Sequence, residues 1–190
     1  MSFLKNDNSL PTVVVLAAGR SERFKAASGG QHKLDTMLQG LSVLERTLAN
    51  VKASGLPFHV VRAVDMVHIE DAGMGDSIAT GVAATQDANG WLILPADLPL
   101  VMPKTLLALA IELASHEVVV PVHENQRGHP VGFSAMCGEA LRKVSGDQGA
   151  ARVVAQHKAY LVPIDDIGCV LDVDTPDQLV LAERILLERR

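Results

Sequence analysis

The sequence predicts an α/β protein in three layers, a mostly parallel sheet with helices on both faces. Three observations lead there. Short runs of β-branched and aliphatic residues alternate with segments of helical periodicity along the chain. The first run, Val13-Val14-Val15-Leu16, is apolar at every position, which suits a strand covered on both sides. The chain has 190 residues, 48% of them hydrophobic but only 3% aromatic, so Val, Leu, Ile and Ala must build one sizeable core.

In chain order, Thr12–Ala17 is expected as the first strand. Ser42–Ala53 is expected as a helix, with Val43, Leu44, Thr47, Leu48 and Val51 on one face and Gly55 and Pro57 closing it. Phe58–Val64 reads as a strand, and Ser77–Thr85 as a short helix after a Gly73-Met74-Gly75 turn. Trp91–Leu94 is a further strand, ending in Pro95-Ala96-Asp97. Pro103–Ala114 follows as a helix with proline near its first position, where a missing N–H costs little. Glu117–Val122 and Pro130–Ser134 read as strands, Gly138–Val144 and Ala150–His157 as helices, and Tyr160–Ile164 as another strand. Thr175–Glu188 closes the chain as an amphipathic helix capped by Asp174 or Thr175, with Pro176 at its first position. Residues 12–190 read as one domain and Met1–Pro11 as a loose polar tail.

In such sheets ligands bind beyond the carboxyl ends of the strands. The first strand delivers Leu16-Ala17-Ala18-Gly19-Arg20-Ser21-Glu22-Arg23 to that edge. Small residues at Ala17, Ala18 and Gly19 let backbone N–H groups approach an anion. Arg20, Arg23 and Lys33 add charge suited to phosphate oxygens. The stretch reads as a nucleoside triphosphate site; the competing reading is an ordinary strand–turn start with solvated arginines. It is neither a P-loop nor a G-x-G-x-x-G dinucleotide turn. The Glu22–His32 connection is long, and its Ala26-Ala27-Ser28-Gly29-Gly30 core suggests a mobile lid.

Two acidic groups follow. Asp97, between Pro95 and Pro99, is either a fixed metal ligand or the cap of a turn. Asp172-Val173-Asp174-Thr175-Pro176-Asp177 is either a strong helix start or a start that also offers a ligand. Alternation puts Asp172 and Asp174 on one side and Val173 on the other, and Asp177 suits the helix dipole.

Together these segments resemble the MobA-like nucleotidyltransferases, which attach CMP or GMP to the molybdenum cofactor. The carrying motifs are Leu16–Phe24, Gly73–Gly81, Asp97-Leu98-Pro99, Gly128–Phe133, Gly146–Ala150 and Asp172–Pro176, in the family's order from about Val13 to Leu186. The resemblance implies a Rossmann-like nucleotidyltransferase fold and transfer of NMP from an NTP to a phosphate-bearing acceptor, molybdopterin foremost, with release of pyrophosphate. Arg23, Lys33 and Asp97 would be catalytic. Leu16 to Ser21, Gly73, Met74, Gly75 and Ser77 would bind the nucleotide, Asp97 and Asp174 would hold Mg²⁺, and His129, Asp147 and Gln148 would face the acceptor. His129, before Pro130, also reads as a turn residue. Where the family has Gly after the Met or Phe, this chain has Lys25, and the next lysine is Lys33. Both compete for the phosphate; Leu34 after Lys33 matches the family's continuation and favours Lys33. Ala18 is the residue the cytidylyl branch carries where the guanylyl branch has Gly, which leans towards CTP. The implied partner beyond the small molecules is a molybdoenzyme or its chaperone. Two other readings stay open, transfer to a sugar phosphate and a non-catalytic nucleotide- or pterin-binding module.

The net charge of −5 argues against a surface that coats nucleic acid. Cys137 and Cys169 form no disulfide framework or zinc spacing, so a reducing cytoplasm is expected. No stretch reaches membrane-spanning length.

Overall fold

The strand β1 (Thr12–Ala17) lies in the interior of the molecule, where Val13, Val14 and Val15 have no exposed surface. The structure, a computed structural model, describes residues 10–189. Most of the expected tail lies outside the described residues, but Pro11 is already buried and belongs to the packed body.

After β1 come α1 (Glu22–Ala27), the small hairpin β2 (Met37–Leu38) and β3 (Leu41–Ser42), and α2 (Val43–Ala53). Next are β4 (Phe58–Arg62), α3 (Met74–Ala84), β5 (Gly90–Pro95), α4 (Pro103–Leu113) and β6 (Val118–His123). The chain continues through β7 (Gln126–Arg127), β8 (Val131–Ser134), α5 (Gly138–Leu141), α6 (Ala151–Gln156), β9 (Tyr160–Pro163) and α7 (Pro176–Glu188).

The main sheet runs β4-β1-β5-β8-β6, with β9 on the far side of β6 and β7 extending its hairpin. β1 pairs parallel with β4 and β5, and β6 parallel with β9, whereas β8 is antiparallel to both β5 and β6. Two antiparallel steps restore direction, so β4, β1, β5, β6 and β9 all point the same way. β8 runs against them because it returns from β6 through a two-residue turn at Glu124 and Asn125, both at positive φ (47° and 69°), the geometry that suits the twist of a hairpin.

Period-two alternation sorts the core onto two faces. Val13, Val15, Leu92 and Leu94 pack on the side of α2, α4 and α7. Val14, Trp91, Ile93 and Phe133 pack on the side of α3, α5 and α6. This is the α/β, mainly parallel architecture expected, and among the described residues no helix is long and apolar enough to cross a membrane.

Several local expectations are corrected. The 22–32 segment is not an open loop: α1 buries Phe24, Ser28 Oγ donates to the Phe24 carbonyl at 2.7 Å, and Gly30 N donates to the Lys25 carbonyl at 2.9 Å. Those ties replace the expected freedom of a lid. α3 begins at Met74, three residues before the expected start, because Asp76 reaches back to accept the Gly73 N–H at 2.9 Å. The helices expected over Gly138–Val144 and Ala150–His157 are shorter, as α5 and α6. By contrast, α2 starts as expected, with Ser42 Oγ accepting the Glu45 N–H and the Glu45 carboxylate accepting the Ser42 N–H.

Candidate active site

Asp97 follows β5 at its carboxyl end, and its position is set by backbone. Ala96 N donates to Leu16 O of β1 at 3.1 Å, and Val173 N donates to Asp97 O at 2.9 Å. From α2, Thr47 Oγ1 donates to Ala96 O and Asn50 Nδ2 to Pro99 O, both at 2.9 Å, pinning the turn on either side of Asp97. Fully buried Val173 plugs the 172–174 segment into the core. Asp172 and Asp174 flank it on the other side, as alternation predicts. At the start of α7, Gln178 Oε1 accepts the Asp174 backbone N–H at 2.9 Å while Gln178 Nε2 donates to Asp172 Oδ1 at 3.3 Å, so one amide holds the Asp174 backbone and the Asp172 carboxylate.

Between these carboxylates sits Lys33. Its Nζ lies 2.5 Å from Asp97 Oδ2 and 2.5 Å from Asp174 Oδ1. Arg23 Nη1 reaches the other oxygen of Asp174 at 3.1 Å. Burial alone would lower the Lys33 pKa, but Asp97 and Asp174 outweigh it and hold the ammonium above its ordinary value. Asp172 is raised, first by burial and then by the charges of Asp174 and Asp97. Asp97 Oδ1 is buried with no hydrogen-bond partner.

Arg23, Lys33, Asp97 and Asp174 line a cleft of about 650 Å³ together with Leu16, Ala18, Gly19, Arg20, Ser21, Gly73, Met74, Ser77 and Asp147. Five separate parts of the chain meet there, between β1 and β2, before α3, after β5, before α6 and before α7. The MobA-like NTP transferase domain matches residues 13–160, which hold all of these segments except the one before α7. The chain belongs to this family.

The chain is also similar to the purine catabolism protein PucB of Bacillus subtilis (strain 168). PucB is 28% identical over 202 residues, spanning 91% of this chain and 96% of that protein. The solved structure of Rv0371c from Mycobacterium tuberculosis H37Rv is 29% identical, with a TM-score of 0.76 over 94% of this chain and 98% of that one. A second Rv0371c structure, described as a complex with manganese, aligns at 24% identity and a TM-score of 0.70, covering 92% and 98% of the two chains. Molybdopterin-guanine dinucleotide biosynthesis protein A from Archaeoglobus fulgidus shares the fold, with a TM-score of 0.66 at 20% identity over 93% of this chain and 99% of that one. The protein is therefore a nucleotidyltransferase-family enzyme.

Not every residue expected in this MobA-like site lines the cleft. Ala17 is half-buried at the end of β1 and stands outside it, as does Gly75. Gly73 and Gly75 have a packing reason: a Cβ on either would come within 2.4 Å and 2.7 Å, respectively, of backbone in the 145–146 segment. Asp147 reaches the cleft, but Gln148 lines a neighbouring hollow with Lys143 and Arg152. His129 sits behind the carboxylates. Its N–H donates to Cys169 O at 2.7 Å, and its Nδ1 is buried without a partner. Burial lowers its pKa, against the pull of Asp97 and Asp172. Lys25 lies on α1, away from the cleft lining.

Sequence reasoning missed three residues besides Gln178. Asp71 pairs with Arg20 at 3.1 Å across the cleft mouth. His32 accepts Leu34 N–H at Nδ1 and directs Nε2–H to Gly19 O at 3.0 Å, fastening the segment that carries Lys33 to the turn after β1. Asp76 Oδ2 accepts N–H from both Gly73 and Gly146 at 2.9 Å, and these bonds lower its pKa. An acid at the third position of a helix was a usable signal for Asp76; nothing in the spacing marked Gln178, Asp71 or His32.

Proposed function

We propose that this protein transfers NMP, with CMP favoured, from an NTP to a phosphate-bearing acceptor, foremost molybdopterin, and releases pyrophosphate. The observation that carries the reading is the Lys33 ammonium held between Asp97 and Asp174 in a cleft at the carboxyl ends of β1 and β5. An acceptor phosphate oxygen bonds to the α-phosphorus as the bond to the bridging oxygen breaks, and pyrophosphate departs with that electron pair. Both reactants are anions, so alignment and neutralisation are the main tasks. Arg23 and Lys33 hold the β- and γ-phosphates, and Arg20 stands at the cleft mouth. Leu16 to Ser21 with Gly73, Met74 and Ser77 receive the nucleotide. Asp147 is on the acceptor side, with His129 and Gln148 in support.

Asp97 and Asp174 fit a divalent ion, Mg²⁺ in this reading. Two carboxylates, one with a buried partnerless oxygen, suit an ion that completes its shell with phosphate oxygens. When bound, the ion would neutralise developing phosphate charge. The manganese in the Rv0371c complex supports divalent chemistry, and the name of the Archaeoglobus protein supports a molybdopterin acceptor. Ala18 supports CTP.

The test is pyrophosphate release from each NTP with Mg²⁺ and molybdenum cofactor. Release with CTP is expected. Release only with a sugar phosphate would transfer the activity to that acceptor, and nucleotide binding without release would make the protein a binding module.

Two variant pairs refine the roles. Lys33→Ala is expected to lose about ten- to a hundred-and-fifty-fold in kcat/KM, the worth of one charge-assisted contact, while Lys25→Ala changes it less than about twofold. A crippled Lys25→Ala enzyme would reverse the assignment. Asp174→Asn is expected to lower kcat/KM by at least about tenfold, and Asp177→Asn by less than about twofold, since only Asp174 faces Lys33. Equal mild effects would leave the cluster as a helix cap.

A further inference from the structure

Each cation of the cleft is already matched to a carboxylate. Arg20 faces Asp71, Arg23 faces Asp174, and Lys33 faces Asp97 and Asp174 together. A triphosphate needs these cations, and a divalent ion needs two of these carboxylates. The conflict is sharpest at Lys33. Its ammonium is 2.5 Å from one oxygen of each carboxylate, in the gap a small divalent ion would fill. Two cations cannot share that point.

We propose that Lys33 is the resident cation of the Asp97–Asp174 pair in the nucleotide-free protein, and that it yields the position to a divalent ion only when a triphosphate takes up its ammonium. This rests on the nucleotidyl-transfer reading of the site. A metal arriving alone must displace an ammonium from two charge-assisted contacts. It must do so where the Lys33, Asp97 and Asp174 side chains are only 13%, 15% and 21% exposed. With little water to receive it, the displaced ammonium has nowhere favourable to go. A triphosphate supplies that destination, and it offers Arg23 phosphate oxygens in exchange for Asp174. Asp97 Oδ1, which Lys33 leaves unpartnered, is then available as a ligand. Metal and nucleotide binding are coupled as a consequence, and each tightens the other by the same factor.

The test is Mn²⁺ binding without nucleotide, read from the electron paramagnetic resonance signal of free Mn²⁺. Lys33→Met keeps the stem and removes the charge, and it is expected to bind Mn²⁺ at least about tenfold more tightly than the unaltered protein. Adding Asp97→Asn to Lys33→Met should cancel the gain. A Lys33→Met protein that binds Mn²⁺ no more tightly than the unaltered one overturns the proposal. Should that variant fail to fold, Lys33→Met/Asp172→Asn keeps the net charge of the cluster and is compared with Asp172→Asn alone, with the same two outcomes. Absence of pyrophosphate release with every NTP would count against the transfer reading, whereas the Mn²⁺ comparison is decided without turnover.

Discussion

Asp97→Ala is expected to cut pyrophosphate release by about a thousandfold or more in kcat/KM while the fold survives. The loss is large because, in the proposed reaction, Asp97 would serve twice, as a carboxylate for a divalent ion and as the counter-charge beside Lys33. The fold survives because the turn around Asp97 is held by backbone atoms. Thr47 and Asn50 grip the Ala96 and Pro99 carbonyls, and the Asp97 carbonyl accepts from Val173. The side chain contributes little to this, and one of its oxygens is buried without a partner, so its removal relieves an uncompensated group. Lys33 keeps Asp174 as counter-charge. Thermal unfolding alongside a coupled pyrophosphate assay checks both halves. Near-normal release from a folded Asp97→Ala protein would remove Asp97 from the mechanism.

The largest effect on stability is expected far from the cleft. Asp166 has no solvent-exposed side-chain surface, and its two oxygens accept from four donors. Oδ2 takes Met102 N at 2.8 Å and Thr105 Oγ1 at 2.7 Å, and Oδ1 takes Gly168 N at 2.9 Å and Arg189 Nη2 at 3.0 Å. This one carboxylate thus joins the start of α4, the 167–169 turn and the residue after α7. Asp166→Ala strips four donors of their acceptor and is expected to cost about 3–5 kcal/mol in urea unfolding. Asp166→Asn should cost less, because an amide oxygen still accepts two of the four. Arg189→Ala should cost less still, since the arginine is partly exposed and leaves three donors in place. An Asp166→Ala protein within about 0.5 kcal/mol of the parent would mean that the network is not a structural tie.

The alternation of strands and helices was legible because the strands are buried on both faces. Val13 and Val15 serve one core and Val14 the other, so the run lacks polar positions and cannot be an amphipathic helix. Helix α2 was legible from Ser42 and Glu45, whose side chains act on their own helix end. What escaped reading depends on partners distant in sequence. α1 has one buried residue, Phe24, too little for a periodic signal. The direction of β8 depends on a turn built from Glu124 and Asn125 rather than from the glycine-containing pairs that announce hairpins. In the cleft, the charged residues stood out by type and by motif. Lys33 meets Asp97 and Asp174 across 64 and 141 positions of chain, a meeting no local spacing predicts. Gln178 and His32 act by hydrogen-bonding backbone and neighbouring side chains, and polar residues of that kind are ordinary anywhere on a surface.

Asp76 gives the cleft a fixed gauge. One oxygen holds the Gly73 and Gly146 N–H groups, and Gly75 N donates to Gly146 O at 2.7 Å. The glycines let the two backbones meet closer than any side chain would permit. Gly73, Met74 and Asp147 line the cleft side by side, and a Cβ on Gly73 would meet Asp147 Oδ1 at 2.7 Å. In the proposed transfer reading, the nucleotide side and the acceptor side of the cleft would therefore be two parts of one joint, and the span between the reacting phosphates would be inherited from hydrogen bonds that touch neither of them.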